Sequence, residues 1–165
     1  MEKLLKKIVK VRFQDCDPLN HLNNSKYIDY FINAREDQIL ENYQLDIYEH
    51  LKTTGQTWVV ASNQIAYLKP AMLNENVLIT SKLINYSGKS ILVEMQMWDK
   101  DHRHLKSVFW SKFVYFNVKT QQSVQHSDDL TRLFEQVLIP VEQTTFEERC
   151  QFILQSMRDE AKINV

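Results

Sequence analysis

From Asp15 to Asn24 the sequence reads DCDPLNHLNN. Those ten residues hold two carboxylates (Asp15, Asp17), a thiol (Cys16), an imidazole (His21) and three amides (Asn20, Asn23, Asn24). An apolar helix follows, carrying Tyr27, Ile28, Tyr30, Phe31, Ile32 and Ala34. A helix start offers unpaired N–H groups and a positive dipole end to developing negative charge. A carboxylate held beside it has two possible uses, as base or as nucleophile. Taken alone, Asp17 before Pro18 reads first as turn chemistry. Asp15 reads as structural, and His21 stands open between positioning a water or substrate and bonding the turn. Asn23 or Asn24 is the expected N-cap. Cys16 and His21, five apart across a turn, make weak evidence for a thiol–imidazole pair.

The elements around this turn follow from periodicity. Lys7 to Gln14 alternates, with Val9, Val11 and Phe13 on one side, and predicts a half-buried strand. The helix is expected from about Ser25 to about Asn42 and, being apolar on nearly every side, is expected to be enclosed. A short helical turn is expected around Ile47 to Leu51. Strands are expected over 57–68, 77–85, 90–98 and 105–117, the last three as an antiparallel meander. Two helices close the chain, 128–137 and 145–161, the second with Phe146, Cys150, Ile153, Leu154 and Met157 at helical spacing. The order predicts an α+β fold: one antiparallel sheet around one long helix, plus a C-terminal helix. A single helix leaves one sheet face and the edges uncovered, so an oligomer is expected.

Composition narrows the function. The 165 residues are 44% hydrophobic and 25% charged, with net charge −1. That gives no electrostatic case for nucleic acid or an anionic membrane. No apolar run is long enough to span a bilayer, and the basic N-terminus lacks the apolar region and cleavage site of a signal peptide. Gly55 and Gly88 are the only glycines, which excludes glycine-rich phosphate loops. The five histidines show no metal-ligand spacing, so neither metal nor cofactor is expected. Cys16 and Cys150 allow at most one bridge, which points to a reducing compartment and a cytoplasmic location.

The run from Asp15 to Tyr27, with Ala34-Arg35 after it, resembles the opening motif of hotdog-fold acyl thioesterases of the 4-hydroxybenzoyl-CoA type. Tyr67-Leu-Lys69-Pro70-Ala71 resembles a second motif of the same family. The resemblance covers about residues 7–137 of one domain, and the helical extension at about 144–161 lies outside it. It implies a hydrolase acting on acyl-CoA as a homodimer or homotetramer with interfacial active sites. Asp17 would be the catalytic carboxylate, as base or nucleophile, and an N–H near Asn24 would polarise the carbonyl. His21 is the third catalytic candidate, and Asn23, Tyr27, Tyr67 and Lys69 are substrate-binding candidates. Asn20 stands where many relatives carry Gly, so a local difference in the turn is expected. Glu36 and Asp37 sit where another subgroup places its carboxylate, and read here as solvated or paired with Arg35. Lys69, Lys82, Lys89, Lys106 and Lys112 are candidates for the phosphates of coenzyme A, but read first as solvated faces. The alternatives are an acyl-ACP thioesterase, a dehydratase, or a non-catalytic acyl-binding module.

Overall fold

The computed structural model describes residues 1–163. Strand β1 (Leu5–Lys10) opens the chain. Then come α1 (Tyr27–Tyr43), α2 (Ile47–Thr54) and β2 (Gln56–Tyr67). The strands β3 (Asn76–Tyr86), β4 (Ser90–Asp99) and β5 (Leu105–Asn117) follow as a meander. A two-residue strand β6 (Gln122–Ser123), α3 (Asp128–Val137) and α4 (Phe146–Ile163) complete it. All pairings are antiparallel, in the order β1-β3-β4-β5-β2, with β6 against the end of β5.

Local chemistry sets the boundaries. A 3₁₀ turn, Asn24–Lys26, leads into α1, and the Asn23 side chain caps it by accepting from the Ser25 N–H at 3.0 Å. Gln44 ends α1 in the left-handed region, and Gly55 ends α2 the same way. Asp46 caps α2 and Ser127 caps α3.

The sheet curls around α1. Tyr27, Tyr30, Phe31, Ala34 and Gln38 recur at three- and four-residue spacing and turn inward. Phe31 stacks on Phe109 with centroids 5.1 Å apart. Val77, Ile79, Val93, Met95 and Met97 complete the inner face, and α3 adds Leu130, Phe134 and Val137. Gln38 is fully buried and satisfied: its amide donates to the Ile79 carbonyl at 3.0 Å, and its oxygen accepts from Ser81. The other flank of α1, with Asp29, Asn33, Asp37 and Leu40, faces solvent. Within this chain the helix is therefore wrapped on one side rather than enclosed.

The opposite face of the sheet is covered by α4. Phe146 and Ile153 pack with Ile84, Trp98, Leu105, Val108 and Trp110, with Cys150 and Met157 at the border. Glu94, 1% exposed, sits among them and receives Arg149 through two bonds of 2.7 and 3.0 Å. Trp110 and Gln96 donate to it as well, and Lys82 lies 3.4 Å away. Burial pushes the Glu94 carboxyl up, but Arg149, Lys82 and Trp110 outweigh that and hold it below the usual range.

The first predicted strand is shorter than the alternation suggested. It stops at Lys10, and Phe13–Asp15 forms a 3₁₀ turn instead. Val11 is buried as expected, but Phe13 is 79% exposed. The chain must leave the sheet at this point to form the polar turn.

At the edge of the core, Trp58, His126, Tyr115 and His50 stack against one another. The Trp58 indole only donates, so His126 Nε2 must accept from it at 3.1 Å. His126 Nδ1 then donates to the Ser87 carbonyl at 3.1 Å. Protonation would set two N–H groups against each other. Burial accordingly lowers the pKa of His126, and of His50, below the ordinary 6.5. The folded state thus favours the neutral imidazoles, and the unfolded chain binds more protons as pH drops. Their contribution to stability is complete above about pH 6.5 and is lost as pH falls from there through the lowered folded values. Melting curves from pH 8 to pH 5 should show Tm falling below about 6.5, with the decline blunted in His126→Gln.

Candidate active site

The Asp17 turn is built by backbone pairing. Asp17 N–H donates to the His21 carbonyl at 2.8 Å, and Cys16 bridges to Leu22 and His21 to Met72. The loop after β2 therefore lies alongside the turn. Asn20 has φ 60°, a left-handed conformation that asparagine and glycine both enter at low cost. The departure at Asn20 is thus a change of residue type that suits this backbone.

The Asp17 carboxylate does two things at once. Its Oδ1 accepts from the Leu19 and His21 N–H groups at 2.9 and 3.0 Å, the turn role its sequence position suggested. Its Oδ2 has no protein partner among the described residues. Two N–H bonds fix the group, and one oxygen stays free to take a proton or attack.

Asp17 lines a cleft of about 480 Å³ together with His21, Asn23, Asn24, Tyr27, Tyr67 and Lys69. All seven residues singled out in the sequence thus share one cavity, although 52 positions separate the first from the last. Leu22, Leu68 and Pro70 complete the wall. Tyr67 donates to the Asn24 carbonyl at 2.9 Å and meets the Tyr27 ring edge-on at 5.1 Å. The Tyr27 hydroxyl accepts from the Ala71 N–H at 3.1 Å. The two sequence motifs are therefore stitched together across the cleft. At the helix start, Asn23 takes the Ser25 and Lys26 N–H groups, through its side chain and its carbonyl. The N–H of Asn24, first in the turn, has no acceptor inside the helix.

Neighbouring groups have other duties. Asp15 accepts from the Tyr30 hydroxyl at 2.8 Å, and Tyr30 accepts from the Arg12 N–H at 2.9 Å. Burial, with that carboxylate beside it, pushes the Tyr30 phenol up to about 12. Asp15 is a structural carboxylate, as expected. Cys16 Sγ faces the Arg12 carbonyl at 3.4 Å. Burial and two adjacent carboxylates raise its pKa, which disfavours the thiolate that a nucleophile needs.

Asp37 is exposed to solvent, one of the two readings offered for it, and pairs with Lys7 of β1 at 3.1 Å rather than with Arg35; Glu36 is half-buried and accepts from the Tyr48 hydroxyl at 3.1 Å. The reading of two lysines needs correction. Lys82 and Lys106 are not solvated lysines. Lys82 serves Glu94, and Lys106, 7% exposed, donates to the Pro70 carbonyl and pairs with Glu75, both at 2.9 Å. Lys106 thereby holds the cleft's second wall, a role that periodicity did not reveal because the loop that buries it comes from elsewhere in the chain. Lys69, by contrast, is exposed at the cleft edge.

Residues 11–134 match the Thioesterase-like superfamily. This chain belongs to that superfamily. The thioesterase is 28% identical over 130 residues to "Long-chain acyl-CoA thioesterase FadM" of Escherichia coli strain K12, covering 79% of its own length and 96% of the relative's. It is similar to the solved "YbaW Probable Thioesterase" of E. coli, with 28% identity, TM-score 0.68, and coverage of 81% and 98% of the two chains. A Staphylococcus aureus protein, SAV2348, solved "in complex with CoA", shares the fold with TM-score 0.76 at 16% identity, over 87% and 91% of the chains. The thioesterase has the hotdog fold that its motifs implied, with α4 beyond the matched residues. Among its described residues no helix is long and apolar enough to cross a membrane.

Proposed function

We propose that this thioester hydrolase cleaves acyl-CoA to a free acid and coenzyme A, with Asp17 as the reacting carboxylate. The observation that supports this most is the free Oδ2 of Asp17 in the same cleft as the Asn24 N–H. Thiolate is a good leaving group, so the reaction needs an activated water or nucleophile and a donor for the carbonyl oxygen. Asp17 serves as base on water or as nucleophile, and Asn24 N–H receives the oxyanion. His21 orients the water, Asn23 holds the helix start, Tyr27 and Tyr67 line the acyl side, and Lys69 meets a phosphate at the cleft mouth. The Asp15-to-Tyr27 motif favours the 4-hydroxybenzoyl-CoA type within the superfamily.

The working unit in this reading is a homodimer. β2 ends the sheet, carries no charged residue in twelve, and exposes Val59 and Val60 by 40% and 50%. An open, uncharged strand edge with exposed valines is a template for a second copy. Antiparallel self-pairing would set the start of one β2 beside the end of the other, next to the cleft wall formed by Tyr67.

Thiol release from short, long and aromatic acyl-CoAs tests the reaction and ranks the acyl groups. Folded protein that hydrolyses none of them would redirect the reading to an acyl-ACP substrate or a binding module. Light scattering should give a mass near twice 19.7 kDa; a monomer would remove the interfacial site.

A further inference from the structure

A second cavity, of about 260 Å³, lies between the C-terminal half of α1, β2 and α3. Its wall is largely apolar, with Ile32, Ile39, Trp58, Leu83, Phe113 and Val137. Arg35 and Glu36 are the charged residues among its lining. Glu36 has a partner in the Tyr48 hydroxyl, at 3.1 Å. Arg35 donates to the neutral Ser81 hydroxyl at 3.0 Å, with the neutral Tyr43 phenol near it. Among the described residues no carboxylate pairs with it.

Such a guanidinium is unusual, because a half-buried charge lining an apolar cavity ordinarily has a counter-charge. Arg35 has five N–H donors in a planar fork that fits a carboxylate through two bonds. Burial lowers its pKa to about 10, which still leaves it cationic at neutral pH. Eight residues separate it from Tyr27 of the catalytic cleft, roughly 12 Å along the helix axis. The two cavities share no lining residue, so an acyl chain that starts at the cleft reaches Arg35 only by passing along α1 between them.

Building on the acyl-CoA reading above, we propose that Arg35 reads the distal end of the acyl group and that the preferred chain ends in a carboxylate. The apolar wall takes the methylenes, and the ligand supplies the anion that the protein does not. Glu36 opposes a stray anion, so the ligand carboxylate is confined to the Arg35 side of the cavity.

The test compares an eight-carbon acyl-CoA with its ω-carboxy and ω-hydroxy analogues, in wild type, Arg35→Met and Arg35→Lys. Wild type should favour the ω-carboxy chain by about 10- to 100-fold in kcat/KM, the range of a charge-assisted bond. Arg35→Met should erase that preference, and Arg35→Lys should keep part of it. Calorimetric binding of the same CoA thioesters to Asp17→Asn, with Arg35 intact, gives a readout free of turnover and of any folding defect at position 35. Equal binding of the methyl-ended and ω-carboxy chains there overturns the proposal, as does a preference for the ω-hydroxy chain. A binding preference without hydrolysis of any chain by wild type would uphold the subsite and reject acyl-CoA hydrolysis.

Discussion

Asp17→Asn should cut thioester hydrolysis by roughly 10²–10⁴-fold, the usual contribution of a positioned carboxylate. The substitution is nearly isosteric. The amide oxygen can still accept from the Leu19 and His21 N–H groups, so the turn keeps its shape. What is lost is Oδ2, replaced by an NH₂ that takes no proton and attacks no carbonyl. Melting temperature and acyl-CoA binding should therefore match wild type while kcat collapses. Activity within about threefold of wild type would take Asp17 out of the reaction. A matching loss of Tm would instead mean that the turn contacts were its main contribution.

Arg149→Met should be the most destabilising single change outside the core apolar residues. It leaves Glu94 buried with Lys82 as its remaining cation, at 3.4 Å. Removing one partner of a buried pair typically costs about 3–5 kcal/mol, because the stranded charge keeps its desolvation penalty. For a chain of this size that corresponds to a Tm drop of roughly 10 °C. Adding Glu94→Gln should recover much of the loss, since the charge that needed a partner is then gone. The pair lies on the sheet face opposite α1, so kcat/KM of the folded variant should stay close to wild type. A shift of Tm below about 2 °C would show that α4 is held by Phe146 and Ile153 alone.

Much of this molecule was legible in the residues. The meander, α3 and α4 were placed within a few positions because their periodicity is local. The cleft was legible for a different reason: its seven residues belong to two compact motifs, and both motifs sit at the same end of the fold. Tertiary events were not legible. Phe13 continues the strand alternation, yet the chain turns away to form the Asp17 loop. Lys106 has the pattern of a solvated strand lysine until the loop at Glu75 folds over it. The neutral surroundings of Arg35 were half legible: Tyr43 lies eight residues on along the same face of α1, but Ser81, 46 positions away, is linked to it by no spacing rule.

The placement of α4 also limits how larger assemblies can grow. Hydrophobic faces of curled sheets invite stacking, back to back, of one dimer on another. Here that face already carries a helix locked by a buried ion pair, so the chain acts as its own second layer.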